Sequence, residues 1–303
     1  MNRIGISICL LFSTITMSGM SHGKGNVPAT EREYFGEKQP GLTPKLFDPK
    51  IVSPEGSFEG GMFTPDMSEY YFTRANGKYK KRTFFVIHYE NGRWGQEAET
   101  DIRWPLFSDD GNVMHQGKQF RERTSTGWSA PKSHGEFLKE QAHGLSVSAN
   151  GTYFFPFFKK EDNGRGNLGF SRLEDGKYSL PIKLNDEINT GEYIAHPYIA
   201  PDESYLMWDV VREDGHGQAD IYISFKQSDG TWSRSINMGS HINTDYQESS
   251  PWVSYDGKYL FFTRGEWLVK EDGSRKYVGK RYWVDAKVIK NLKPKQLITY
   301  QSQ

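Results

Sequence analysis

The chain has 303 residues, with Lys+Arg and Asp+Glu equal at 38 each and a formal net charge of zero. That balance excludes the overall electrostatic footprint of a nucleic-acid-binding protein or of one held on anionic lipid. Hydrophobic residues make up 36% and aromatics 15%, which suits many short, half-buried strands whose buried area comes from Tyr, Phe and Trp.

At the N-terminus, Met1-Asn2-Arg3 carries a positive charge, Ile4 to Ile15 is apolar, and small residues follow at Ser18, Gly19, Ser21 and Gly23. This is read as a secretory signal peptide over residues 1–23, too short to span a bilayer, and it implies a periplasmic or secreted protein. The single cysteine, Cys9, lies inside it and comes too early for a lipoprotein attachment site. The mature chain is therefore expected to hold neither a disulfide nor a thiolate metal site. No later stretch approaches the ~18 apolar residues of a membrane span. Residues 24–56 form a Pro- and Gly-rich N-terminal arm (Pro28, Pro40, Pro44, Pro49, Pro54) in which neither a long helix nor a central strand fits.

From residue 57 to 303 one pattern recurs: an apolar residue, Ser or Thr (Ala once), any residue, Asp or Asn, then an apolar run. It appears as Phe63-Thr64-Pro65-Asp66, Phe107-Ser108-Asp109-Asp110, Val147-Ser148-Ala149-Asn150, Ile199-Ala200-Pro201-Asp202 and Val253-Ser254-Tyr255-Asp256, at steps of 44, 40, 52 and 54 residues. A period of that size marks a repeat architecture. Asp-Gly or Asn-Gly hairpin signals punctuate it at Asp110, Asn150, Asp175, Asp229, Asp256 and Asp272. Two further correspondences fix the register: Phe72-Thr73-Arg74 with Phe262-Thr263-Arg264, and Ile188-Asn189-Thr190 with Ile242-Asn243-Thr244. Trp94, Trp128 and Trp232 close their units and are expected to pack between sheets. The fifth unit is predicted to take strands at 249–253, 259–264 and 281–288, with 296–300 as its fourth. Four strands per unit make the chain all-β: a single β-propeller of four-stranded blades, five of them, with six as the alternative if the arm contributes one.

The units resemble the WD40-like propeller repeat PD40, most closely over Pro251-Trp252-Val253-Ser254-Tyr255-Asp256-Gly257-Lys258-Tyr259-Leu260-Phe261-Phe262. The fourth unit keeps Pro201-Asp202 but has Glu203 in place of glycine, and the second and third are degenerate. The resemblance implies a TolB-like propeller of a periplasmic or secreted protein. The related peptidase propellers carry their nucleophile on a separate domain with a Gly-x-Ser-x-Gly elbow; no such domain is read in this sequence, and its one match to the pattern, Gly19-Met20-Ser21-His22-Gly23, lies inside the expected signal peptide.

Propellers bind ligands where the innermost strands begin. In this register those starts place Glu59, Arg103, His143, Glu192, His196 and Glu248 at a channel mouth, with Asp101 and Glu140 nearby, as ligand-binding candidates. No catalytic residue is assigned. Two functions remain open at this point: a non-catalytic propeller, monomeric, binding a protein, peptide or glycan of the cell envelope; or a glycosidase-like hydrolase using two channel carboxylates. No cofactor is assigned, and a calcium ion, structural or at the site, stays open. The loop Glu161 to Asn167 has oxygen ligands but not the spacing of a calcium loop.

Overall fold

A computed structural model describes residues 33–53, 58–76, 79–138, 144–157, 165–175 and 177–294. The proposed signal peptide, His143, Glu140 and the segment 296–300 lie outside the described residues. Five antiparallel sheets form a five-bladed β-propeller. In chain order the innermost strands of blades I to V are Phe58–Phe63, Leu106–Phe107, Ser146–Val147, Glu192–Ile199 and Gln247–Val253. Each is followed by a second strand paired antiparallel to it and a third outside that, as in blade IV with Tyr205–Val211 and Asp220–Phe225.

Blade V departs from the sequence expectation. Its second and third strands, Tyr259–Val269 and Arg275–Asp285, are longer than predicted and form a hairpin that runs past the inner strand. The residues after Asp285 form a short helix, Lys287–Leu292, rather than more strand. The outermost place is taken by Lys45–Leu46 from the arm, in register with Trp283 and Tyr282. The ring is thus closed by the beginning of the described chain lying on its end. The reason is apolar. Tyr34 is buried against Phe63, Tyr259 and Trp283, and Phe47 packs edge-on to Phe261 and Trp283. Phe35 reaches Tyr70 and Trp94 of blade I. The arm therefore shares one hydrophobic cluster with blades I and V.

Between the other blades the closing aromatic residues do the packing. Trp128 of blade II donates to the Tyr71 hydroxyl of blade I at 3.0 Å, and Trp232 of blade IV meets Phe154 of blade III edge-on. Because inner strands all run the same way, the propeller has a front face where they begin and a rear face where the repeated Asp turns lie.

Candidate functional site

The sequence-predicted site residues that lie among the described residues stand near the starts of the inner strands in different circumstances. Glu59, on the inner strand of blade I, accepts from Arg82 Nε at 2.7 Å. Arg103 precedes the inner strand of blade II, exposed, with its guanidinium over the Phe84 ring. Glu192 opens the inner strand of blade IV and is exposed. Glu248, in blade V, is fully buried; Arg264 Nε donates to it at 2.7 Å, and the Thr244 backbone N–H and hydroxyl donate at 2.8 and 2.7 Å.

His196 is different. Its Nδ1–H donates to Asp209 at 3.0 Å, while Asp209 Oδ1 also accepts the Ser250 N–H at 2.9 Å. Asp209 is 4% exposed and His196 37% exposed, so the carboxylate is sealed in while the imidazole faces open space. Burial alone would depress the imidazole pKa, but the Asp209 charge and hydrogen bond outweigh it and the net is a raised value. Local backbone makes this possible. The inner strands of blades IV and V both carry bulges, between Glu192 and Tyr198 and between Ser249 and Trp252. Within them Tyr193, His196 and Ser250 adopt left-handed φ of 54°, 44° and 54°. A bulge redirects side chains that a regular strand would alternate, and here it turns His196 and Ser250 toward the same carboxylate.

One residue further round is Arg281, from the third strand of blade V. It is 8% exposed; Nη1 donates to Ser250 O at 3.2 Å and to Thr263 Oγ1 at 3.3 Å, and its buried Nε has no partner. Its methylenes lie against Gly60, where an added Cβ would sit 3.5 Å from Arg281 Cδ. The neighbouring Gly61 faces the Tyr70 ring, where a Cβ would stand 2.7 Å from the phenol oxygen. The Tyr70 hydroxyl is likewise buried without a partner.

Around this mouth stand the large exposed aromatics. Trp104, Tyr193, Tyr246 and Trp267, 47% to 66% exposed, are the exposed aromatic side chains among the described residues. All four are on the front face: Trp104 and Tyr246 just before inner strands, Tyr193 at the start of one, and Trp267 on the extended hairpin beside Gln247, whose Oε1 its indole N–H reaches at 3.1 Å. Trp104 meets Phe84 edge-on at 5.0 Å beneath the Arg82 guanidinium.

The rear of the channel is narrow. Tyr255 reaches across from blade V to blade II, its hydroxyl donating to Phe107 O at 3.0 Å and accepting the Phe107 N–H at 2.8 Å. Beside it is a cavity of about 110 Å³ lined by Phe107, Asp109, Tyr198, Tyr205 and Trp252. Burial and the adjacent Asp110 charge raise the Asp109 carboxyl.

Sequence reasoning missed Asp209, Arg281 and Tyr70. Asp209 had a signal, a lone carboxylate within the apolar run Tyr205-Leu206-Met207-Trp208-Asp209-Val210-Val211, because a charge inside a buried strand needs a partner. Arg281 and Tyr70 had none. Among the described residues no group of three or more His, Cys, Asp or Glu side chains is placed to hold a metal ion, and no helix is long and apolar enough to cross a membrane.

No family model matches the sequence, and no curated protein matches it. Solved structures do resemble the fold. They include TolB from Acinetobacter baumannii, at 12% identity and TM-score 0.43 over 78% of this chain and 54% of that one. They include the catalytic domain of a GH62 α-L-arabinofuranosidase from Coprinopsis cinerea, at 12% identity and TM-score 0.46 over 80% and 94%. An oligogalacturonate lyase in complex with manganese follows, at 11% and TM-score 0.39 over 79% and 70%. The chain spans about half the length of the TolB chain it matches. At such identity the likeness extends to the propeller fold alone.

Proposed function

We propose that this is a PD40-type, TolB-like propeller, periplasmic or secreted, that binds a protein, peptide or glycan of the cell envelope on its front face without catalysis. The observation that carries the reading is the gathering of Trp104, Tyr193, Tyr246 and Trp267 on one face, around the open end of the channel. Exposed Trp and Tyr are costly unless covered, and rigid aromatic rings with a polar atom at one end dominate the energetics of recognition. Arg82 and Arg103 beside Trp104 add charge to the same rim. Support for binding rather than hydrolysis comes from the carboxylates. A glycosidase needs two of them facing one bond at ~5–5.5 or ~6.5–9.5 Å, whereas Glu59 and Glu248 are each held by an arginine and Asp209 is held by His196.

The test is direct binding of the purified protein to glycan and peptide arrays, beside a Trp104→Ala/Tyr193→Ala variant, with reducing-end release measured on every glycan retained. The expected result is retention by the wild type and roughly tenfold or weaker binding by the variant, without turnover. Equal binding by both proteins would remove the front-face assignment. Glycan cleavage that disappears in Glu192→Gln would make the protein a hydrolase.

A further inference from the structure

Two arginines are buried among the described residues, and they differ in what surrounds them. Arg74 is saturated: Nε and Nη2 donate to Val52 O at 3.0 and 2.7 Å, and Nη1 donates to the Tyr79 hydroxyl at 3.1 Å and to Glu97. Arg281 has two weak bonds from Nη1 alone, no carboxylate in ion-pair contact among the described residues, and a buried Nε with no acceptor. An isolated buried charge is costly, and proteins accordingly pair or neutralise it.

No acceptor among the described residues meets the buried Nε of Arg281. Tyr70, 1% exposed, holds its hydroxyl unpartnered against Gly61, and the Arg281 charge acts on that phenol. Two glycines in succession on an inner strand let these two side chains approach the backbone closely, Arg281 at Gly60 and the Tyr70 ring at Gly61. Through Ser250 the guanidinium is linked to the Asp209–His196 pair: Nη1 donates to Ser250 O, and Ser250 N–H donates to Asp209. The remaining ionic groups around the front of the channel cancel as Arg82 with Glu59 and Arg264 with Glu248. Asp209 is shared with His196, and exposed carboxylates stand at the rim at Glu192 and Asp245, so the unpaired positive charge here is that of Arg281 itself.

We infer that the front half of the channel is an oxyanion seat, in which Arg281, with the Tyr70 hydroxyl and the outward edge of His196, receives the carboxylate or phosphate group of an acidic ligand. The idle edge of the guanidinium, Nε with Nη2, is the one that grips a planar or tetrahedral oxyanion through two parallel bonds. This deepens the binding reading and rests on its choice of the front face: the aromatic rim takes the body of the ligand and the seat takes its acidic group.

Thermal unfolding of the full chain, titrated with acetate and separately with inorganic phosphate against chloride at constant ionic strength, tests the inference. A saturating rise in Tm with at least one oxyanion beyond the chloride control is expected, and the better of the two identifies the class of acidic group. Arg281→Met should weaken that affinity roughly tenfold or more while its anion-free Tm equals or exceeds the wild-type value, because the substitution deletes a charge that had no counterion. If Arg281→Met does not fold, Tyr70→Phe serves: it should unfold like the wild type without anion and respond several-fold more weakly to it. No saturating rise in the wild type, or an undiminished rise in the variant that folds, overturns the seat. The Trp104→Ala/Tyr193→Ala protein should keep the anion response in full, so loss of the seat and loss of the aromatic rim are read separately.

Discussion

His115 and His134 show how single side chains set the pH response of this fold. They stack in the core of blade II, 5.2 Å between centroids, with Nδ1 of one 3.4 Å from Nε2 of the other. Burial pushes His115 down to about 3, helped by the His134 charge, and burial pushes His134 down to about 4. An unfolded histidine titrates near 6.5, so below that value the unfolded chain takes up protons that the folded one refuses. Stability is complete above pH ~6.5 and falls as the pH drops toward the folded values, by about 1.4 kcal/mol per pH unit from His115 alone. His196 acts with the opposite sign: its raised pKa contributes stability below ~6.5 and loses it as the pH climbs through the folded value. Urea midpoints between pH 7 and 4.5, a window in which most carboxylates stay ionised, should decline for the wild type and flatten in His115→Gln. A variant profile as steep as the wild type would show that the acid sensitivity arises elsewhere.

The repeated turn is a local device whose chemistry accounts for its sequence. In blades I, II and V the Ser or Thr hydroxyl donates to the Asp two residues on, at 2.7, 2.5 and 2.6 Å. It also accepts the backbone N–H five residues on, at 3.0, 2.9 and 3.0 Å. One pair of small polar groups thus terminates an inner strand and starts the next. Ser254→Ala should cost about 1–3 kcal/mol by leaving Asp256 and the Tyr259 N–H short of a partner, while Ala200→Ser, which restores the hydroxyl blade IV lacks, should gain up to about 1 kcal/mol. Chemical denaturation measures both, and equal midpoints for all three proteins would deny the hydroxyl its role. Asn189 and Asn243 are a second such device, each bridging both backbone groups of the third strand beside it, at Leu168 and Ile221. These elements were legible in the sequence because every bond joins residues close in the chain or repeats with the blade. The arm's strand was not legible, since Lys45 finds its partner only when blade V is in place, and neither was Arg281, whose surroundings come from Gly60, Tyr70 and Ser250 on two blades. Of the predicted front-face residues, His196 shares a carboxylate with its neighbours, while Glu59 and Glu248 are taken up in ion pairs.

At the scale of the whole molecule, stability turns on the seam between blades V and I. Phe47 N–H donates to Arg281 O at 2.8 Å, which makes Leu46 and Tyr282 the closely spaced, non-hydrogen-bonded kind of antiparallel pair. That spacing suits a disulfide. Leu46→Cys/Tyr282→Cys should oxidise to a bridge that locks the ring, raising Tm by several degrees and slowing unfolding, with both effects reversed by reductant. A bridged protein that unfolds no more slowly would place the first opening away from the seam. The same seam has a meaning in time as well as in space. A ribosome releases residue 45 long before residue 283, so the edge of blade V and the apolar flank of blade I must stay uncovered until nearly all of the described chain is made. Closing the circle is a late event of high contact order, and the nascent protein carries a bare strand edge until then, the state in which two chains are most prone to complete each other.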